Sequence, residues 1–171
     1  MNPIKEQITA LFAENPGQTP ADVAGKLNIP EAQVIRDMPA EMVTLLSNVP
    51  VEEVFLKLRE LGDILLVMDV CGHIFEMVTP FPKGGYKFGY YNMSDRNSPM
   101  KGHLKMDNFG TIAMVAKPFH GVDTRSIQFF TKDDKPVFKV YLRRNKDKTF
   151  LAEQLEKFEE MKMLVNESQA A

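Results

Sequence analysis

After Gly62 the hydrophobic period of this chain changes, and no later segment before Leu142 joins helical spacing to helix length. Ile64–Val70 is a nearly unbroken apolar run, and His73–Val78 follows across Cys71-Gly72, the spacing of a tight β-hairpin. Further strands fit Tyr86–Met93, Gly102–Met106, Thr111–Lys117, Arg125–Phe130 and Val137–Leu142. Turn-forming clusters separate them: Pro82-Lys83-Gly84-Gly85, Ser94–Pro99, Asp107-Asn108, Gly121–Asp123 and Lys132–Pro136. A parallel neighbour needs a crossover of about a dozen residues or more, and these links are too short for one. The spacing predicts a mainly antiparallel, meandering sheet.

Helices flank it. Ile4, Ile8, Leu11 and Phe12 share one helical face, and Asn15-Pro16-Gly17 ends that helix. Thr19 reads as an N-cap with Pro20 first in a second helix and Asp22 three residues on, an incomplete capping box. Pro30 opens a third helix that carries Val34, Ile35 and Met38 and stops at Pro39. Beyond Ser47-Asn48-Val49-Pro50, the residues Val51, Val54, Phe55, Leu58 and Leu61 line an amphipathic helix with Gly62 as its C-cap. Leu151, Leu155, Phe158, Met161 and Val165 form a closing helix, with an exposed tail expected after Asn166. The fold class is α+β: short N-terminal helices, an antiparallel sheet and a C-terminal helix. Residues 1–47 read as a helical subdomain and 48–171 as a sheet domain with its closing helix.

Three short helices resemble a helix-turn-helix in outline, but the charges oppose DNA reading. Before Ser47 the cations Lys5, Lys26 and Arg36 face six anions, a net −3. The would-be recognition helix sets Glu31 and Asp37 beside its lone Arg36, the reverse of a nucleic-acid surface. The whole chain carries a net charge of −2, which argues against a general polyanion binder. Its 171 residues contain no apolar run of the roughly 20 needed to span a bilayer as a helix, and no apolar signal core follows the start. One cysteine, Cys71, suits a reducing compartment, so a cytoplasmic location is expected.

Enzyme signatures are absent: no P-loop, no G-x-S-x-G, no H-E-x-x-H. His73, His103 and His120 lack zinc-site spacing, and Cys71 beside Gly72 reads as an inert turn cysteine rather than a nucleophile paired with His73. The informative stretch runs from Thr79 to Lys105. Pro80-Phe81-Pro82 is a rigid kink presenting one ring; it also fits a simple edge-strand terminator. Tyr86-Lys87-Phe88-Gly89-Tyr90-Tyr91-Asn92-Met93 is dense in aromatics, and Gly102-His103-Leu104-Lys105 follows a polar loop. Such a region can offer a flat porphyrin aromatic surface, an oxygen or nitrogen iron ligand, and cations (Arg96, Lys101, Lys105) for carboxylates. Tyr90 and Tyr91 point to opposite faces of a strand, so one of them packs inward; His103 reads equally as a pocket residue or a strand-end residue.

Taken in order, Gly89-Tyr90-Tyr91-Asn92, Gly102-His103-Leu104-Lys105, Gly121-Val122-Asp123-Thr124 and Ser126-Ile127-Gln128-Phe129-Phe130 resemble the haem-utilisation cytosolic carriers HutX and ChuX. The resemblance covers nearly the whole chain. It implies a fold like one half of the larger HemS and ChuS proteins, a homodimer, haem b bound as cargo, and delivery to a cytosolic haem-degrading enzyme, with no catalysis by the carrier itself. The family's haem-associated histidine carries over to His103 and its tyrosine to Tyr90, which become the candidate iron ligands. Phe81, Pro82, Tyr91 and Lys105 are the further candidate haem contacts. Where some members have a second histidine on the first long strand, this chain has Asp69, a poor axial ligand, which shifts the expected ligation toward Tyr90. Two other readings stand beside the carrier: a haem-degrading enzyme in its own right and, more remotely, a DNA-binding regulator.

Overall fold

A computed structural model describes residues 2–165; the tail expected after Asn166 lies outside them. Helix α1 (Pro3–Glu14) starts where the Asn2 side-chain oxygen accepts the Ile4 N–H at 3.1 Å, with proline at the first helical position. Helix α2 (Pro20–Leu27) has a complete capping box rather than an incomplete one. Thr19 Oγ1 accepts the Asp22 N–H at 3.0 Å, and the shorter aspartate still reaches back to the Thr19 N–H at 3.0 Å. Helix α3 (Glu31–Asp37) follows, with Ala32, Val34 and Ile35 buried.

Strand β1 (Val43–Leu45) is a departure from the sequence reading, which placed no strand before Gly62. Three residues are too few to show an alternation. It pairs antiparallel with β7 (Phe109–Phe119), and α1–α3 bury Ile8, Phe12, Val23 and Ile35 against Ala113, Val115 and Phe130 of the sheet. The N-terminal helices are thus packed on one face of the sheet through a shared apolar cluster.

Helix α4 (Val51–Glu60) leads through Gly62 into the hairpin of β2 (Asp63–Val70) and β3 (His73–Pro80). Cys71 and Gly72 both have positive φ, 54° and 84°, as a two-residue type I′ loop requires. The expected single strand over Tyr86–Met93 is instead two, β4 (Gly84–Lys87) and β5 (Tyr90–Met93). Phe88 and Gly89 turn between them with φ of 56° and 78°. A phenylalanine in the left-handed region is uncommon, so sequence alone gave no turn signal at that position. Strands β6 (Gly102–Lys105), β7, β8 (Val122–Thr131) and β9 (Pro136–Tyr141) complete the strands, and α5 (Ala152–Met161) follows.

The strands form two antiparallel sheets rather than one. The large sheet has the order β1-β7-β8-β9-β2-β3, and the small sheet has β4-β5-β6. In the large sheet β7-β8-β9 is a meander, and the small sheet β4-β5-β6 is a second one; the β2–β3 hairpin joins at β9 by a long connection. Ile64, Leu66, Ile112, Met114, Ile127, Phe129, Phe138 and Val140 point to one face of the large sheet, where α4, α5 and the small sheet cover them. Gln154 of α5 is buried and fully bonded: its Nε2 donates to Leu61 O and Asp63 O at 2.6 Å each, and its Oε1 accepts the Arg143 N–H at 2.9 Å. Among the described residues no helix is long and apolar enough to cross a membrane.

Arg36 is turned inward rather than toward a polyanion. Its guanidinium grips Asp134 in the β8–β9 turn through two bonds of 2.6 and 2.8 Å and also donates to Thr111 Oγ1 at 2.8 Å. That hydrogen bonding holds the Asp134 carboxyl below its ordinary value. The stabilisation is therefore full above about pH 4, the range of an unfolded carboxylate, and is lost as pH falls through the lower folded value. Asp134→Asn is expected to lower stability at neutral pH, with the gap to wild type closing in urea titrations run progressively below about pH 4. Phe55 lies at the centre of the core, with ring centroids of Phe81, Tyr91, Phe109 and Phe129 at 5.0, 5.1, 5.8 and 5.9 Å. Phe55→Ala should lower the unfolding free energy by about 3–5 kcal/mol, measured by chemical denaturation.

Candidate functional site

The small sheet is a three-stranded platform whose two faces have different jobs. Register places Lys87, Tyr90 and Lys105 in one row across it and Gly85, Asn92 and His103 in the next. Side chains alternate, so Lys87, Tyr90, Asn92, His103 and Lys105 all rise from the outer face, while Tyr86, Tyr91 and Leu104 belong to the inner one. Gly84 makes the close pairing possible: a Cβ there would sit 2.3 Å from the Asn92 carbonyl oxygen.

The two candidate iron ligands are brought together. The Tyr90 and His103 rings meet edge to face with centroids 6.2 Å apart, and Tyr90 is 38% exposed. His103 Nδ1 lies 2.7 Å from Asn92 Oδ1. Lys105 is also on this face, 3.8 Å from Asp107 in an exposed pair, which leaves its ammonium largely free to meet an anion. Sequence reasoning missed Lys87 and Phe88. Lys87 flanks Tyr90 on the side opposite Lys105, and its ammonium lies 4.9 Å over the Phe88 ring. Phe88, at the hairpin tip, is 86% exposed. Only the division of Tyr86–Met93 into two strands puts these residues beside Tyr90.

The structure does not bring Phe81, Pro82 and Tyr91 to that face. All three are buried on the inner side: Phe81 and Tyr91 stack at 6.3 Å, and the Tyr91 hydroxyl donates to the Pro82 carbonyl at 2.7 Å. Burial also pushes the Tyr91 phenol above its ordinary value, which keeps it neutral. As placed, they support the platform from beneath. Lys101 donates to the Asp95 carbonyl within its own loop, and Arg96 is exposed there.

Asp69 is occupied elsewhere: its Oδ1 accepts the Gly72 N–H at 2.8 Å and closes the β2–β3 turn. It also lines a cavity of about 560 Å³ on the other face of the large sheet, between the start of α2 and the β2–β3 hairpin. That cavity contains neither Tyr90 nor His103. Around Tyr90 and His103 the small sheet presents an exposed ledge. His120 has φ of 47° in the β7–β8 turn against Phe119, and Cys71 is exposed. Among the described residues no three His, Cys, Asp or Glu side chains gather in a way that could hold a bare metal ion.

The donor set on the ledge fits an iron porphyrin in kind: a phenol oxygen, an imidazole nitrogen, two ammoniums for carboxylates, and exposed aromatic surface. Tyr90 and His103 approach from the same side of any flat group laid on the sheet. Either side chain would be able to offer an atom to a metal at the centre of such a group, with the other beside it.

Comparison with known proteins agrees in sequence and in fold. The family model "Haem utilisation ChuX/HutX" matches residues 44–161. The intracellular heme transport protein HutX of Vibrio cholerae is 34% identical over 161 residues, which span 94% of this chain and 83% of that protein. The crystal structure of ChuX superposes with a TM-score of 0.84 at 26% identity, covering 97% of this chain and 99% of that one. Holo-PhuS, a heme-binding protein of Pseudomonas aeruginosa, shares the fold alone: its TM-score is 0.71 at 19% identity, and the match covers 93% of this chain but 47% of PhuS. The ChuX-like architecture, the family-model match over residues 44–161 and the 34% identity to HutX agree: the chain belongs to the ChuX/HutX haem utilisation family.

Proposed function

We propose that this protein is a carrier that takes up haem b on the outer face of its small sheet and hands it to a haem-degrading enzyme in the cytoplasm. One observation carries the reading: Tyr90 and His103 stand ring to ring on an open face, with Tyr90 between Lys87 and Lys105. The Vibrio relative, an intracellular heme transport protein, supports transport inside the cell rather than catalysis. An open ledge suits transfer, because the cargo is held without being enclosed. Tyr90 is the favoured iron ligand and His103 the second. Lys87 and Lys105 would meet the propionates, and Phe88 at the hairpin tip would lie against the macrocycle edge. Phe81, Pro82 and Tyr91 act from the inner side by keeping the platform rigid.

The carrier is proposed to act as a homodimer. Helices α1–α3 cover only the β1–β7 end of their side of the large sheet, and the uncovered end presents Ile74 and Val78, 65% and 51% exposed. A second copy seated there would bury this apolar surface.

Two experiments test these readings. Ferric haem titrated into wild type, Tyr90→Phe and His103→Ala, followed by absorption spectroscopy, should show altered charge-transfer bands and at least about tenfold weaker binding for Tyr90→Phe. His103→Ala should have a smaller spectral effect. Wild-type spectra and affinity in both variants would place the site elsewhere. For the assembly, Ile74→Asp should convert a dimer to a monomer in sedimentation or light scattering, and an unchanged mass would move the interface off this face.

A further inference from the structure

We propose that Asn92 is a positioning residue that holds His103 as its Nδ1–H tautomer, so that the Nε2 lone pair faces outward from the ledge. The argument begins with the other end of the amide. Asn92 Nδ2 faces three backbone carbonyls of the β4–β5 hairpin: Gly85 O at 3.1 Å, Lys87 O at 3.2 Å and Tyr90 O at 3.1 Å. A flipped amide would set its oxygen against three oxygens, so the network assigns nitrogen to that side and Oδ1 to the other.

Oδ1 can only accept, and it lies 2.7 Å from His103 Nδ1. The hydrogen of that bond must therefore sit on Nδ1. In a neutral imidazole this leaves Nε2 without a proton, the state needed to bond iron or to accept a hydrogen bond. A neutral histidine free in water prefers the opposite arrangement, so the orientation is imposed. The hairpin supplies the restraint. The Phe88-Gly89 turn brings the carbonyls of Gly85 and Lys87 over the start of β5, and Gly85, paired with Asn92, adds no side chain above the amide.

This rests on the reading of His103 as a haem-face residue, but its test does not. Two-bond proton–nitrogen correlation spectra of the full apo chain, taken above about pH 8 where an ordinary imidazole is neutral, report the tautomer of each histidine. His103→Ala identifies the signal among His73, His103 and His120. Wild-type His103 is expected as Nδ1–H. Asn92→Ala should move it to a population dominated by Nε2–H. Asn92→Asp keeps an acceptor while losing the donors to the hairpin, so it should retain Nδ1–H even though the hairpin loosens. A role limited to stabilising the hairpin would not separate these two variants. An Nε2–H wild type, or a tautomer unmoved by Asn92→Ala, overturns the proposal.

Ferric haem then gives the functional arm: because Asn92 acts through His103, Asn92→Ala should weaken haem binding in the same direction as His103→Ala and by no more than that variant does. Haem binding unchanged in His103→Ala would instead sink the haem reading of His103 and leave the tautomer result standing.

Discussion

The aromatic cluster around Phe55 is what the working surface depends on. Phe55 comes from α4, Phe129 and Phe109 from the large sheet, Phe81 from the segment after β3, and Tyr91 from the small sheet. These rings are the contact through which a three-stranded sheet, too small to be stable alone, is seated on a six-stranded one. Once Tyr91 is committed to the cluster and its hydroxyl to the Pro82 carbonyl, strand alternation leaves Tyr90 and Asn92 no choice but the outer face. The buried tyrosine and the exposed one are neighbours with opposite duties.

The division of labour extends to the two faces of the large sheet. One is sealed by α4, α5 and the platform; the other is covered at the β1–β7 end by α1–α3, with Arg36–Asp134 and the Lys139–Glu31 pair at 2.5 Å tying helix to strand. The helices that resemble a DNA-reading module in outline are used as a lid on apolar sheet surface, and the cation such a module would need is held by an aspartate.

Much of this was legible in the sequence because it is written in periodicity. The Cys71-Gly72 hairpin, the long strands and both amphipathic helices follow from apolar spacing and turn residues. What escaped has a physical reason in each case. β1 is too short to show a pattern and exists because β7 offers an edge. The turn at Phe88-Gly89 is hidden inside an aromatic run, since a phenylalanine there gives no hint of a positive φ. That one hidden turn decided the site: read as a single strand, Tyr86–Met93 does not set Lys87 beside Tyr90 or bring three carbonyls to Asn92. The motifs single out Tyr90, His103 and Lys105, which share the outer face, whereas Phe81 and Tyr91 stand out for aromatic character and Pro82 for its rigid kink, features that core and binding surface share. Gln154 was invisible because a glutamine on a helix carries no sign that it will be buried.

Were haem held on the ledge as proposed, the common face shared by Tyr90 and His103 would have a kinetic consequence. A metal held from one side by a single protein atom keeps its remaining axial coordinate accessible. An incoming ligand from an acceptor would then be able to bond before the outgoing bond breaks, and no naked haem would be released to water. Exchange of this associative kind would be recognised by a transfer rate that rises with acceptor concentration, instead of levelling at the rate of spontaneous loss.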